Sequence, residues 1–161
     1  MKKIITDFIP NSLDYKAPVL DLLTRADSDF FPPLSKRVDL DEYAEKLLNS
    51  AFIIASYFES EEKQRLLGMY AGYAHDGYDY AYGSFMWVDK DFREYALGFF
   101  LQKKALAYVK ERKMKGIKAH TWTDNNDNVI TFYKRLGYEI SKETFNSELN
   151  RHEVIITYTF K

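Results

Sequence analysis

The sequence contains 161 residues, with 23 Lys and Arg against 24 Asp and Glu, so its formal net charge is −1. This balance argues against a general nucleic-acid or membrane-surface binder, which would carry a clear excess of basic residues. The absence of cysteine excludes a disulfide framework, a thiol nucleophile and a cysteine-based zinc site. The length is typical of a single domain, and we expect residues 1–161 to form one.

The hydropathy pattern bears on where the protein works. No apolar run approaches the roughly 20 residues that a membrane-spanning helix needs. The opening residues MKKIITDFIPNS lack an apolar signal core. We therefore expect a cytoplasmic protein with neither nucleic acid nor membrane as a partner. The scattered histidines lack the spacing of metal ligands, so no metal site is predicted.

The first third of the chain predicts a strand followed by two helices. Residues 3–9 alternate weakly between apolar and polar, as a short strand does. Pro18 falls within the first turns of the next helix, which therefore begins late or bends. A stiff loop with two prolines follows at residues 27–35, and Asp39 or Asp41 then begins a second helix.

Three strands are predicted next. Residues 51–58, read AFIIASYF, form a strongly apolar strand. Residues 66–75 and 78–88 form two more, and Asp76-Gly77 between them is a hairpin turn signal. These strands are rich in tyrosine and phenylalanine, which favours packing on a half-buried sheet.

A long helix and a strand follow. The apolar stripe of this helix consists of Leu97, Leu101, Ala105, Tyr108 and Val109. Gly116 ends this helix, and residues 117–123 form a strand. Because a helix joins residues 78–88 to residues 117–123, we expect those two strands to pair in parallel.

The last part predicts a short helix and a hairpin. Asn126 opens the helix and Gly137 closes it, and the hairpin pairs residues 138–144 with residues 154–160. The whole chain thus predicts an α/β (α+β) fold, in which about seven strands form a mixed central sheet flanked by about four helices. The predicted order is β-α-α-β-β-β-α-β-α-β-β.

The turn at residues 93–98 is the first candidate for chemistry. It connects a strand to a helix, and Ala96 and Gly98 are small where the backbone must turn tightly. Such a turn directs several backbone N–H groups and the positive end of the helix at one point. It is therefore suited to an anion and above all to a phosphate, although an ordinary strand-to-helix turn has the same local pattern.

Two sequence patterns, one at residues 93–98 and the other at residues 126–138, resemble those of the acyl-CoA-dependent N-acetyltransferases of the GNAT superfamily. Five residues after Val88, Arg93-Glu94-Tyr95-Ala96-Leu97-Gly98 fits Q/R-x-x-G-x-G/A, with Ala96 where the first glycine is usual. Asn126 is followed seven residues later by Tyr133, within Phe132-Tyr133-Lys134-Arg135-Leu136-Gly137-Tyr138. The predicted order of strands and helices is also the order of that superfamily.

The resemblance implies that acetyl-CoA is the cosubstrate. The backbone N–H groups of the turn would hold its diphosphate, and Asn126 would contact the pantetheine arm besides capping its helix. The residues implied in cofactor binding are Met86, Trp87, Val88, Arg93, Glu94, Tyr95, Ala96, Leu97, Gly98, Asn126 and Tyr133. Within this group, Ala96 and Glu94 depart from the usual pattern by a methyl group and a negative charge.

The resemblance also implies a catalytic role for Tyr133. The matching tyrosine protonates the departing thiolate after an amine attacks the thioester directly, which fits the absence of cysteine. From its helical position alone, Tyr133 would instead be a core residue.

A general base cannot be carried over from the family. The two positions where relatives have a glutamate are Tyr82 and Thr121 in this sequence. The remaining candidates are His120 and Tyr82, with His75, Asp76 and Tyr80 as further choices and a water relay still open. Histidine in general titrates in the useful range, although a histidine within a strand is more often a core residue.

The acceptor is the least defined part. The resemblance implies that the acceptor is an amine of a small molecule or a peptide. It also implies that the loop between the first two helices shapes the acceptor site. Phe30, Phe31 and Tyr80 are the predicted substrate-binding residues, although the two phenylalanines can equally pin the loop to the core. A non-catalytic CoA or acyl-CoA sensor and a protein without a cofactor are the alternatives. Dimers are common in the superfamily, so a homodimer is one open state.

Overall fold

The computed structural model describes residues 2–61 and 63–161. Within them, the strands are Ile4–Ile9 (β1), Phe52–Phe58 (β2), Leu66–Tyr73 (β3), Tyr80–Val88 (β4), Gly116–Trp122 (β5), Glu139–Ile140 (β6), Thr144–Asn146 (β7) and Arg151–Thr159 (β8). The α-helices are Lys16–Ala26 (α1), Leu40–Ser50 (α2), Leu97–Glu111 (α3) and Asp127–Leu136 (α4). None of these helices is long and apolar enough to cross a membrane.

The strands form one mixed sheet in the order β1-β2-β3-β4-β5-β8-β6, with β7 pairing beside β8. All neighbours are antiparallel except β4 and β5, which run parallel. Helix α3 connects β4 to β5, as parallel pairing requires. The predicted fold class and the predicted parallel pair are both confirmed.

The helix termini explain why the helices begin and end where they do. Pro18 is the third residue of α1, where the N–H groups have no intrahelical partner, so the proline costs little. Asp39 begins α2, and its side chain accepts a hydrogen bond from the N–H of Glu42 at 3.0 Å. Gly137 ends α4 in the left-handed region, with φ of 103°.

Apolar residues cover both faces of the sheet. One cluster packs α1 and α2 against the first strands; its fully buried members include Leu22, Leu23, Leu47, Leu48 and Ile53. A second cluster packs α3 and α4 on the other face; it includes Ile54, Leu67, Leu101, Ala105 and Ile117. The central strands are therefore buried on both sides, which accounts for their nearly continuous apolar sequences.

The closing hairpin differs from the prediction. Residues 138–144 were expected to form one strand, but they form β6 and the first residue of β7, separated by a break at residues 141–143. The hydroxyl of Ser141 accepts a hydrogen bond from the N–H of Ile155 at 2.8 Å, in the place of a backbone carbonyl. A side chain that takes over a backbone partner in this way interrupts the ladder. The partner strand β8 also begins earlier than expected, at Arg151.

Candidate active site

A cleft opens where β4 and β5 separate. Their pairing covers only Tyr80–Gly83 against Gly116–Ala119, and the rest of each strand diverges from the other. Ser84 is an extra residue in β4 opposite β3, because Ala71 pairs with Phe85 and the next residue pairs with Gly83. Such a bulge bends a strand. The cleft has a volume of about 840 Å³ and reaches from the turn before α3 to the inner end of the split.

The turn before α3 borders the wide end of this cleft. Ala96 is in the left-handed region, with φ of 57° and ψ of 26°, and its carbonyl accepts the N–H of Phe100 at 3.2 Å. The N–H groups of the three residues between them precede the first full helical hydrogen bond, so they are free to bind an anion. Ala96 and Gly98 line the cleft, whereas the exposed side chains of Glu94 and Tyr95 do not.

Two carboxylates hold this turn in place, and sequence reasoning missed both. Buried Asp89 accepts hydrogen bonds from the N–H of Asp91 at 3.0 Å and from Arg25 Nη1 at 2.7 Å. Asp29, in the loop after α1, accepts from Trp87 Nε1 at 2.8 Å and from Arg93 Nη2 at 3.1 Å. Two residues distant in the sequence, Arg25 and Asp29, thus help to fix the turn, and no local pattern identifies their contacts.

Asn126 stands at the N-cap of α4 and lines the cleft. Its side chain does not cap the helix but donates to the carbonyl of Trp122 at 2.7 Å. The capping group is its backbone carbonyl, which accepts from Val129 and Ile130 at 3.1 Å each. The side chain therefore ties the start of α4 to the end of β5.

Tyr133 projects from α4 towards the cleft with a buried ring. The ring packs edge-on against Tyr138, with 5.1 Å between centroids. Within residues 2–61 and 63–161 its hydroxyl makes no hydrogen bond, and that oxygen is not fully enclosed by protein. Burial raises the pKa of Tyr133 to about 12, so the phenol is neutral and can donate a proton.

Neighbouring side chains set the position of this phenol. Tyr138 donates to Gln102 Oε1 at 2.7 Å, and Gln102 Nε2 lies 3.2 Å from Met86 Sδ. Both Tyr138 and Gln102 are buried. This polar chain runs from Tyr138, just after α4, through Gln102 of α3 to Met86 of β4, and it links the Tyr133 ring to the strand that borders the cleft.

His120 and Tyr82 meet across the inner part of the split. Tyr82 Oη lies 3.4 Å from His120 Nδ1, and His120 lines the cleft. Burial raises the pKa of Tyr82, and nearby Glu153 adds to this effect. The structure thus brings together two of the predicted catalytic residues, one from each of the diverging strands.

Glu153 on β8 is a further carboxylate on this side, and sequence reasoning did not find it. It accepts hydrogen bonds from Asn146 Nδ2 at 3.1 Å and from Arg151 Nε at 3.0 Å. Burial acts to raise the pKa of Glu153, but the bonds from Asn146 and Arg151 outweigh it and the pKa lies below its ordinary value. Glu153 is therefore an anion near His120.

The predicted acceptor residues separate into two groups. Phe30 lines the cleft and contacts Phe85 and Trp122, with ring centroids 5.3 and 5.6 Å apart. Phe31 is 43% exposed, and its carbonyl accepts from Arg151 Nη1 at 2.9 Å. Tyr80 lies beyond the closed end of the split, with its hydroxyl 3.0 Å from Thr159 Oγ1. Only Phe30 of these three borders the cleft.

The other predicted residues are placed as follows. The cofactor-binding residues that line the cleft are Met86, Trp87, Val88, Arg93, Ala96, Gly98, Asn126 and Tyr133. Leu97 is buried beneath the turn, so only its backbone faces outwards. His75 and Asp76 belong to the β3–β4 connection, where Asp76 pairs with Arg112 at 2.7 Å. Both lie away from the cleft.

Comparison with known proteins agrees with this geometry. The model of the acetyltransferase (GNAT) family matches residues 18–138. No curated protein matches the sequence. Among solved structures, aminoglycoside 6'-acetyltransferase type Ii is 18% identical, with 96% of each chain covered and a TM-score of 0.77. A GNAT-family acetyltransferase from Streptococcus pneumoniae is 12% identical, covering 99% of this chain and 100% of that one, with a TM-score of 0.76.

A further similar structure contains a ligand. Arabidopsis thaliana NAA60 in complex with acetyl-CoA is 14% identical, covering 98% of this chain and 99% of that one, with a TM-score of 0.74. At these identities the structural likeness shows a shared fold, while the family match extends over both sequence patterns, from the Arg93–Gly98 turn to Tyr138. The chain therefore belongs to the acetyltransferase (GNAT) family.

Proposed function

We propose that this protein is an acetyl-CoA-dependent N-acetyltransferase, which transfers the acetyl group directly to a primary amine in a ternary complex. One observation carries this proposal. The Tyr133 hydroxyl, which has no partner within residues 2–61 and 63–161, and the N–H groups that follow Ala96 border the same cleft. A diphosphate site and a proton donor in one cleft are what thioester aminolysis requires.

The cleft suits the cofactor in shape as well as in charge. The edge of β4 beyond Gly83 has no strand partner on the β5 side, so its backbone groups can pair with the amides of a pantetheine arm. At Gly98 an added Cβ would point between Phe132 and Met86, both of which line the cleft. The glycine therefore leaves room for a ligand to approach the helix backbone.

Tyr133 acts as the general acid in this mechanism. The amine nitrogen bonds to the thioester carbon, the C–S bond breaks, and the proton of the Tyr133 hydroxyl goes to the leaving thiolate. Because burial raises the pKa of Tyr133 to about 12, the proton is present at every pH at which the amine reacts. The acid regains its proton from solvent after the products leave.

His120 accepts the proton that the ammonium group loses. Its ring lines the cleft, and its Nδ1 lies 3.4 Å from Tyr82 Oη. Phe30, Phe85 and Trp122 supply an apolar wall beside it. The acceptor is then an amine of a small molecule or a peptide whose apolar part packs against these rings.

A sensor that binds CoA without turnover is the second candidate. It is favoured by Tyr82 and Thr121, which occupy the positions where some relatives carry a carboxylate base. The two functions share the cofactor site and differ in whether thiol is released.

Thiol release from acetyl-CoA across a panel of amines tests the proposal. The protein contains no cysteine, so a thiol reagent reports the product alone. We expect Tyr133→Phe to lower kcat by about 100-fold or more, as loss of a general acid does, at every pH from about 6 to about 9.5. The dissociation constant for acetyl-CoA should stay within about twofold.

The matched control is Tyr78→Phe, which removes a phenol that is 68% exposed in the β3–β4 connection. It should leave kcat unchanged. Unchanged turnover in Tyr133→Phe would remove this residue from the mechanism. Acetyl-CoA binding without thiol release from any amine would favour the sensor instead.

A further inference from the structure

Tyr70 of β3 lies at the inner end of the cleft. An added Cβ at Gly83 would lie 2.8 Å from the Tyr70 hydroxyl and 3.4 Å from Ala119 Cβ. Gly83 and Ala119 form the last residue pair before β4 and β5 separate. The Tyr70 hydroxyl therefore occupies the space that a side chain at Gly83 would fill, directly at the apex of the split.

The Tyr70 side chain is buried, but its hydroxyl is not fully enclosed by protein. Tyr70 is only 3% exposed, and its ring packs against Phe52 with 5.9 Å between centroids. Its hydroxyl makes no hydrogen bond within the described parts of the chain, although Tyr70 lines the cleft. Burial, with a smaller effect of Tyr133, raises the pKa of Tyr70 far above its ordinary value. A phenol hydroxyl at the edge of a mostly apolar cleft gains from a hydrogen bond, so a water molecule or a ligand in the cleft is its partner.

Both Tyr70 and Tyr133 line the cleft. The turn that binds the diphosphate is at the wide end, after β4, and Tyr133 lines the same cleft from α4. A pantetheine arm that enters from the turn and presents its sulfur to Tyr133 directs the acyl group further inwards. Tyr70 lines the cleft at that inner end, where its hydroxyl lies beside Gly83.

We propose that Tyr70 determines which acyl group this enzyme accepts, by closing the cleft at Gly83 so that acetyl fits and longer straight chains do not. This inference rests on the proposed function. Longer acyl chains are excluded for two reasons. The Tyr70 ring limits the length of the acyl pocket, and an alkyl chain next to the Tyr70 hydroxyl would displace the water bound there without replacing its hydrogen bond. Acetyl leaves room for that water.

Dissociation constants of acetyl-, propionyl-, butyryl- and hexanoyl-CoA, measured by calorimetry, test this without an acceptor amine. We expect the wild type to bind butyryl-CoA at least about tenfold more weakly than acetyl-CoA, as excess methylenes in a closed pocket predict. Tyr70→Leu should bring this ratio close to one. Tyr57→Leu is the matched control, because Tyr57 is a buried strand tyrosine in the cluster on the opposite face, and it should keep the wild-type ratio.

A gentler pair of variants covers the case in which Tyr70→Leu fails to fold. Tyr70→Phe removes only the hydroxyl and should admit propionyl-CoA. Adding Gly83→Ala to Tyr70→Phe places a methyl group near the lost oxygen, 3.6 Å from the ring carbon, and should restore the exclusion. Equal wild-type affinity for acetyl- and butyryl-CoA, or an unchanged ratio in the Tyr70 variants, would overturn the inference while leaving the proposed function intact. Failure of every CoA ester to bind the wild type would overturn both.

Discussion

The guanidinium of Arg93 and the carboxylate of Asp29 lie 3.1 Å apart, although 64 positions separate them in the sequence. Asp29 belongs to the loop after α1, and Arg93 to the turn before α3. Arg93 Nε also donates to the carbonyl of Val88 at 3.0 Å. One side chain therefore connects the loop beside the proposed acceptor wall, the end of β4 and the proposed diphosphate site.

Arg93→Ala should weaken CoA binding. We expect the dissociation constant to rise about tenfold, the effect of losing one charge-assisted hydrogen bond that orders the turn. The free energy of unfolding should fall by less than about 1 kcal/mol, because the ion pair is half exposed. Asp29→Asn is the matched control, since the amide oxygen still accepts from Trp87, and it should have a smaller effect on affinity. Equal CoA affinity in Arg93→Ala and the wild type would show that the turn is ordered without this contact.

Ala96→Gly should be tolerated or stabilising. Ala96 adopts φ of 57°, which costs an L-residue with a Cβ about 1 kcal/mol, while the extra freedom of glycine in the unfolded chain offsets about half of that or more. We expect the free energy of unfolding in urea to change by 0 to about +1 kcal/mol. The control is Ala107→Gly at an exposed position inside α3, which should lose about 1 kcal/mol. Equal losses at both positions would contradict the argument from the left-handed conformation.

Gly98→Ala should separate stability from binding. The new methyl would lie 3.4 Å from Phe132 Cζ and 3.6 Å from Met86 Cε, which are ordinary packing distances. The melting temperature should therefore stay the same or rise, because alanine is the better helix former. CoA affinity should fall at least about tenfold, since the methyl enters the space where the ligand approaches the backbone. Full affinity in this variant would place the diphosphate elsewhere.

The pair of His152 and Asp124 gives a prediction on pH. Their side chains lie 2.9 Å apart and join the start of β8 to the loop before α4. The hydrogen bond to Asp124 raises the pKa of His152 above 6.5. The bonds from the His152 side chain and N–H lower the pKa of Asp124 below 3.8.

The sign of the effect follows from these two shifts. His152 makes its full contribution to the free energy of unfolding below pH 6.5, and this contribution is lost as the pH rises through the pKa of His152 in the folded protein. Asp124 contributes to the free energy of unfolding above pH 3.8, and this contribution is lost as the pH falls through the pKa of Asp124 in the folded protein. The difference in melting temperature between wild type and His152→Gln should be largest near about pH 5 and shrink by about pH 9. His75→Gln, in the β3–β4 connection, is the control, and a difference independent of pH would contradict the assignment.

Local signals predicted much of the fold and several residues of the candidate site. Apolar periodicity gave the strands and helices around Leu101 and Ile54, and the pattern around Gly98 and Tyr133 gave two elements of the cleft. Asp29 and Glu153 were missed because each acts through contacts with residues far away in the chain. The break at Ser141 was missed because a serine hydroxyl that replaces a backbone carbonyl leaves no mark on hydropathy.

Tyr70 was missed for a different reason. In sequence it is one aromatic residue of a buried strand, where packing is the ordinary explanation. Its significance depends on two facts that appear only in three dimensions: Gly83 leaves space for its hydroxyl, and Tyr70 lines the cleft at the point where β4 and β5 separate. Neither fact is encoded near position 70.

The short pairing of β4 with β5 has a mechanical consequence. Only four residue pairs connect β4 to β5, and these strands join the two halves of the sheet. By comparison, seven residue pairs connect β5 to β8. A cofactor bound between the diverging strands would form hydrogen bonds that β4 and β5 do not make to each other. Cofactor binding and the contact between the two halves of the sheet therefore depend on the same bonds. Amide hydrogen exchange along Ile117 and its neighbours should then slow as the cofactor concentration rises, which makes the apo protein the looser of the two forms.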